Sequence, residues 1–269
     1  GHGVDLDLKY QKNLNKNAFL IVRGNLTYAH SEYLKYEDNT YDKEWWKYKI
    51  GYSPNQKWGY IAEGLFIDDA EVANSPVQFG DYKAGDIKYK DVNGDGKITP
   101  EDRTMIGNPT PDFTYGLSLG VNYKNWSLGI DMMGQHGNEI FRTWDNYNFA
   151  QFNYLSQRMD RWHGEGTSNT QPLLNTKHSI NNLNSDYYIE DGKFFRIRNV
   201  QLAYTFDKSL ISKIRLQALK VYVNIQNLKT WKHNTGYTPE LGGTATAFGV
   251  DNGSYPVPAV YTFGINLTF

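Results

Sequence analysis

Apolar and polar residues alternate with a period of two over several long stretches of this chain. In Val4-Asp5-Leu6-Asp7-Leu8-Lys9-Tyr10 the even positions are apolar and the odd ones charged, as in a strand with one apolar face. After the turn-like 13–17 segment, Leu20, Val22, Leu26 and Tyr28 share a face against Arg23, Asn25 and Thr27, which predicts a hairpin. Leu117, Leu119, Val121 and Tyr123 precede a short Lys124-Asn125 turn, and Trp126, Leu128, Ile130 and Met132 follow it. A third pair spans 194–206 and 219–228, with Val221, Val223 and Ile225 on one face. In its first member the parity slips: Phe195 and Ile197 are odd, whereas Val200, Leu202, Tyr204 and Phe206 are even. A bulge near Arg198-Asn199 restores the register. The last strand carries Tyr261, Phe263, Ile265, Leu267 and Phe269 on one face.

About seven strands of roughly ten residues result, the length a tilted membrane strand needs. Short connections (13–17, 124–125 and about 207–218) alternate with long ones at about 31–109, 138–192 and 229–256. Outer-membrane barrels place short turns at the periplasmic end and long loops outside, and the alternation fits that plan. The expected fold is therefore all-β, a portion of a transmembrane antiparallel barrel. Leu117, Leu119, Val121, Trp126, Leu128, Ile130, Val221, Val223, Ile225, Phe263, Ile265 and Leu267 are expected to face lipid. The alternative reading is a soluble up-and-down barrel or sandwich. The polar faces speak against it: they mix Ser, Gly, Asn and Thr with some charges, as a wide aqueous lumen requires, where a soluble sheet would show Lys and Glu.

Composition is consistent with that choice. The 269 residues include 13 Phe, 7 Trp and 21 Tyr, yet only 39% are hydrophobic and the mean hydropathy is −0.64. Strands with a single apolar face average out in this way. No run approaches the roughly 18 apolar residues of a membrane helix. With 28 Lys+Arg against 29 Asp+Glu, no nucleic-acid partner is implied. The absence of cysteine removes disulfides, thiolate metal sites and Cys nucleophiles. A chain that opens Gly1-His2-Gly3 without Met or a signal peptide reads as an internal start.

The sharpest local motif runs from Asp91 to Asp102. Oxygen side chains stand at Asp91, Asn93 and Asp95, Gly96 supplies the turn, Lys97 offers its carbonyl, and Thr99 and Asp102 complete the set. This is the spacing of an EF-hand calcium loop, with a shorter Asp102 in place of the usual bidentate Glu. Thr99-Pro100 also reads as a helix start, cut short by Gly107-Asn108-Pro109. A structural calcium ion is expected there, the alternative being an ion-free Asn/Asp/Gly turn. Catalytic arrangements are lacking: His2, His30, His136, His163, His178 and His233 are scattered, and no nucleophile or phosphate-binding motif occurs. The chain is not expected to be an enzyme. The long connections hold Trp45, Trp46, Tyr48, Trp58, Tyr60, Trp144, Tyr147, Phe149, Phe152, Tyr154, Trp162, Trp231 and Tyr237. These rings are candidate contacts for a substrate or partner, the alternative being that they pack the loops together.

Several of these segments together resemble a known family. Tyr89-Lys90-Asp91 through Thr99, Ile106-Gly107-Asn108-Pro109, Pro111 to Gly116, Gly134-Gln135-His136-Gly137, Tyr188 to Val200, Gln226-Asn227-Leu228, Gly236-Tyr237-Thr238-Pro239-Glu240 and the terminal Tyr261–Phe269 follow in order. They look like the late-barrel segment of SusC/RagA-type TonB-dependent transporters of the Bacteroidetes outer membrane. The resemblance implies a 22-stranded plugged barrel of which this chain is the C-terminal third, with the plug and TonB box outside it. It further implies import of an oligosaccharide or peptide under a SusD-like lipoprotein, powered through TonB with ExbB and ExbD. Phe269, the terminal aromatic, is then expected to serve as an outer-membrane assembly signal and as a girdle residue.

Overall fold

The computed structural model describes residues 1–36, 48–145, 154–174, 179–243 and 247–269. In chain order the strands are β1 (His2–Asn15), β2 (Ala18–His30), β3 (Lys57–Gly59), β4 (Ala62–Leu65), β5 (Ile87–Tyr89), β6 (Thr104–Gly107), β7 (Phe113–Tyr123), β8 (Trp126–His136), β9 (Glu139–Arg142), β10 (Ile189–Asp191), β11 (Phe194–Thr205), β12 (Ala218–Lys232), β13 (Val250–Asp251) and β14 (Val260–Thr268). Two short helices, α1 (Asp69–Asn74) and α2 (Lys208–Ile211), lie in connections. The long strands form one seven-stranded antiparallel sheet in the order β1-β2-β7-β8-β11-β12-β14. Each strand pairs with the next long one along the chain, so alternate ends carry short and long connections.

Register lines the apolar residues into continuous rows. One row runs Tyr10, Val22, Leu119, Ile130, Val200, Ile225 and Tyr261 across all seven strands. The next runs Leu20, Val121, Leu128, Leu202, Val223 and Phe263. Aromatics bracket the band: Tyr123, Trp126 and Tyr204 lie toward the short turns, and Tyr28, Phe113, Phe195 and Trp231 toward the long connections. The rings meet within each group, Trp126 with Tyr204 at 4.8 Å, Tyr28 with Phe113 at 5.0 Å and Phe195 with Trp231 at 5.7 Å. From Tyr123 to Phe113 the 11-residue β7 rises about 34 Å, which at a tilt of about 40° spans about 26 Å. That matches the roughly 25 Å apolar band of an outer-membrane barrel.

Among the described residues nothing covers this face: Leu117 is 43% exposed, Trp126 50%, Ile265 66% and Phe263 78%. A soluble sandwich would bury it under a second sheet. The compact apolar core instead lies in the connections, where Tyr60, Ile87, Tyr89, Ile98 and Ile180 form a buried cluster. The long connections therefore carry their own small structures: β3 pairs with β6, β4 with β5, and β9 lies between β10 and β13.

The parity slip in β11 is a bulge. Pairing to β8 shifts between Ile197 and Asn199, leaving Arg198 as the extra residue. On the other side, Asn227 and Leu228 of β12 lie opposite that gap, and Asn227 takes φ 53°. Beyond this break β12 continues to Lys232, so the connection expected to begin at 229 starts after Lys232, and Trp231 stands on a strand rather than in a loop. The first turn is also tighter than 13–17, since β1 reaches Asn15 and only Lys16-Asn17 intervene.

Candidate functional sites

The 91–102 loop is built from successive Asx turns. Asp91 accepts from the Gly94 and Gly96 N–H groups, both at 2.7 Å, Asn93 Oδ1 from Asp95 N at 2.9 Å, and Asp95 Oδ1 from Lys97 N at 2.8 Å. Gly96 adopts φ 81°, a left-handed conformation that a side chain would strain. Asp102 is fully buried: Oδ1 accepts from Val92 N at 2.8 Å and Asn93 N at 3.3 Å, and Oδ2 from Thr99 N at 2.7 Å. With Thr99 Oγ1 accepting from Glu101 N, this completes a capping box on the 3-10 turn Pro100–Asp102. Ile98 anchors the loop in the apolar cluster.

Partial burial works against the Asp91 carboxylate's charge, but the Gly96, Gly94 and Asp95 N–H groups outweigh it and hold its pKa below the ordinary value. Among the described residues no three His, Asp or Glu side chains gather as a metal set. Asp91, Asn93, Asp95, the Lys97 carbonyl and Thr99 are the oxygens that would hold a hard cation. Both Asp102 oxygens accept from backbone donors, as do both Asp91 oxygens, Asn93 Oδ1 and Asp95 Oδ1, and Asp102 differs from them in being fully buried.

The expected aromatic contacts divide. Trp45, Trp46 and Tyr147, with Phe149 and Phe152, lie outside the described residues. Tyr60 is only 2% exposed and belongs to the loop core. Trp58 and Trp162 are half-buried, Trp58 edge-on to Tyr52 and Trp162 against Gly85. Trp144 is half-buried beside Arg142. Trp231 and Tyr237 remain exposed.

Two polar constellations had no local signature in the sequence. In the first, Arg142 pairs with Asp145 at 2.8 Å and Glu190 at 2.7 Å, while Trp144, Tyr187 and Tyr188 surround its guanidinium at 5.7, 5.8 and 5.7 Å. Burial alone opposes the charge, yet the two carboxylates keep the Arg142 pKa above its ordinary value. Glu190 also accepts from Thr235 N at 2.9 Å, which joins two connections. The second lies on the polar face of the sheet, around a cavity of about 780 Å³ lined in part by Arg23, Ser118, Asp131, Arg196, Arg198 and Gln226. There Arg23 pairs with Asp7 at 2.6 Å. Arg196 pairs with Glu240, tying the last long connection to the sheet. A cavity on the polar face, with the apolar face bare, is the arrangement of a barrel wall around an aqueous lumen.

This fold and cavity define the chain as part of a transmembrane β-barrel wall, and comparison with known proteins narrows the class. No family model matches the chain. TonB-dependent receptor P26 of Formosa agariphila is 31% identical over 196 residues, covering 69% of this chain and 20% of the relative. TonB-dependent receptor P3 of the same organism is 28% identical over 232 residues, 79% of this chain and 22% of the relative. TonB-dependent receptor SusC of Bacteroides thetaiotaomicron is 22% identical across the whole chain, which covers 26% of SusC. The chain thus spans about a fifth to a quarter of the length of these relatives. Among solved structures, the RagAB peptide transporter superposes with a TM-score of 0.73 at 22% identity, over 99% of this chain and 29% of the matched one. The RagAB peptide importer in its open-open state gives 0.74. The chain belongs to the TonB-dependent receptors, and its fold is that of part of their barrel. Because these relatives are named as receptors and transporters, the expectation against an enzyme stands.

Proposed function

We propose that this chain is the C-terminal part of a SusC-like outer-membrane importer that takes up a large nutrient, an oligosaccharide or a peptide. The observation that carries the reading is the uninterrupted apolar face of seven strands opposite a polar cavity, in a chain whose relatives are TonB-dependent receptors. The short turns then face the periplasm and the connections at about 31–109, 138–192 and 233–256 face outward, where a SusD-like lipoprotein closes over the lumen. The plug and the TonB-binding segment belong to another part of the protein, and TonB with ExbB and ExbD supplies the energy. A calcium ion held by Asp91, Asn93, Asp95, the Lys97 carbonyl and Thr99 braces the outer connection, with Asp102 locking the loop from behind. Exposed Tyr237 is available to the lid or the nutrient, whereas Trp231 belongs to the aromatic band on the lipid side.

The test is deletion of the gene with assays of growth and uptake. Loss of growth on one oligomeric nutrient, with growth on its monomer retained and a lipoprotein co-purifying with the tagged receptor, is expected. Unchanged growth on every oligomer, with the protein recovered in the soluble fraction, would contradict it.

A further inference from the structure

Charge is distributed unevenly between the two ends of the sheet. The short-turn end carries Lys12 near the close of β1, Lys16 and Lys124 in the two tight turns, and Lys208, Lys213 and Arg215 in the connection that holds α2. All six are exposed, and none makes an ion pair among the described residues. The one acidic side chain in these segments, Asp207, accepts from Asn125 Nδ2 at 2.8 Å. By contrast, each of the connections at 31–109, 138–192 and 233–256 holds more Asp and Glu than Lys and Arg.

Register and ring contacts place part of the positive charge at the lipid boundary. Lys12 lies opposite Leu20 and therefore in the apolar row of Leu20, Val121 and Leu128, from which its long stem lets the ammonium reach the rim. Lys124 takes φ 50° in the β7–β8 turn, and its ammonium lies 5.7 Å from the centroid of the Tyr123 ring on the apolar face. The Lys124 N–H donates to the Asn17 carbonyl at 2.7 Å, so the turns that carry Lys16 and Lys124 abut. The α2 connection leaves the same aromatic belt: Trp126 meets Tyr204 at 4.8 Å and Tyr204 meets Phe206 at 4.9 Å, two residues before Lys208. Cations that ring the end of an apolar band and have no protein carboxylate are matched by phosphate at headgroup depth. We infer that this rim is a docking surface for anionic phospholipids of the leaflet at the short-turn end. Lys12, Lys16 and Lys124 hold the headgroup phosphates, and Lys208, Lys213 and Arg215 extend the collar. The inference rests on the membrane-barrel reading and adds to it a preference among lipids. Charge complementarity sets that preference, since each Lys or Arg near an anionic surface strengthens association about fivefold and a zwitterionic headgroup offers no net charge.

Native mass spectrometry of the intact receptor, released from bilayers of equal parts phosphatidylglycerol and phosphatidylcholine, tests this. Several-fold more phosphatidylglycerol than phosphatidylcholine is expected to remain bound. The combined variant Lys12→Gln, Lys16→Gln, Lys124→Gln should lose most of that excess, and the matched variant Lys35→Gln, Lys83→Gln, Lys90→Gln, in a long connection, should keep it. Equal retention of the two lipids by a receptor that enters the bilayer would overturn the inference alone. A receptor that does not enter bilayers would contradict the barrel reading and this inference with it. An excess unchanged in the first variant, with loss of a co-purifying acidic protein, would assign the collar to that protein and overturn the lipid assignment.

Discussion

Asp102 accepts three backbone N–H groups from a fully buried position, which makes it the residue on which the 91–102 loop most depends. Asp102→Ala strands those donors and is expected to cost about 1 to 3 kcal/mol. Faster hydrogen exchange at Val92 and Thr99 would report it, and unchanged exchange would show that water replaces the carboxylate without loss. Asp91 adds a pH dependence of definite sign. Its folded carboxyl titrates below the ordinary 3.8, so its contribution is complete above that value and is lost as pH falls through the lowered one. The loop's protection factors, which take out the intrinsic pH dependence of amide exchange, should therefore hold steady from neutrality down to about pH 4 and fall only below it. The spacing of Asp91, Asn93 and Asp95 made the loop legible in the sequence, since an Asx turn joins residues two or three apart. The burial of Asp102 was not legible, because it follows from Ile98 entering a core whose other members come from 60, 87, 89 and 180. Arg142 was missed for the same reason: its partner Glu190 is 48 positions away.

The strands show where a period of two suffices and where it fails. Each side chain's face in β7, β8 and β14 follows from parity alone, and their register in the sheet agrees with it. In β11 the slip itself was readable, because the apolar set changes parity at a definite place, and Arg198 is found there as the extra residue. In β12 the corresponding break at Asn227 and Leu228 is followed by Lys229, Thr230, Trp231 and Lys232, too polar to read as a strand. Trp231 was accordingly assigned to a loop, whereas it stacks on Phe195 at the edge of the apolar band. Deleting Arg198 removes the bulge and leaves Ile197 two positions before Val200, so plain alternation keeps Phe195 and Ile197 on the apolar face. Outer-membrane yield of the deletion should therefore stay close to normal, as should that of Arg198→Ala, which keeps the extra backbone residue. A sharp fall for the deletion alone would mean that the bulge itself, and not the parity of the two halves, is required for assembly.

At the scale of the whole molecule, the account rests on one apolar face with nothing to cover it. Both edges require neighbours as well: β1 and β14 each pair on one side only among the described residues, and an open edge is completed in a barrel by further strands. Phe269, 80% exposed beyond β14, fits a girdle position at the short-turn end. Its deletion in the intact receptor should lower outer-membrane yield if it is also an assembly signal; unchanged yield would leave only the girdle role. Substitution contrasts the faces directly. Ile130→Arg, in the middle apolar row, should cost about 2 to 4 kcal/mol, and Gln201→Arg on the polar face much less, by denaturant unfolding in lipid.

The most direct measurement uses the absence of cysteine from these 269 residues. Single cysteines at 126 through 132 in β8 of an otherwise cysteine-free receptor, spin-labelled in bilayers, report exposure to oxygen in the lipid and to a water-soluble nickel complex. The account predicts high oxygen accessibility at Trp126, Leu128, Ile130 and Met132, and high nickel accessibility, or burial from both reagents, at Ser127, Gly129 and Asp131. Water-like accessibility along the whole strand, or oxygen maxima at the odd positions, would contradict it.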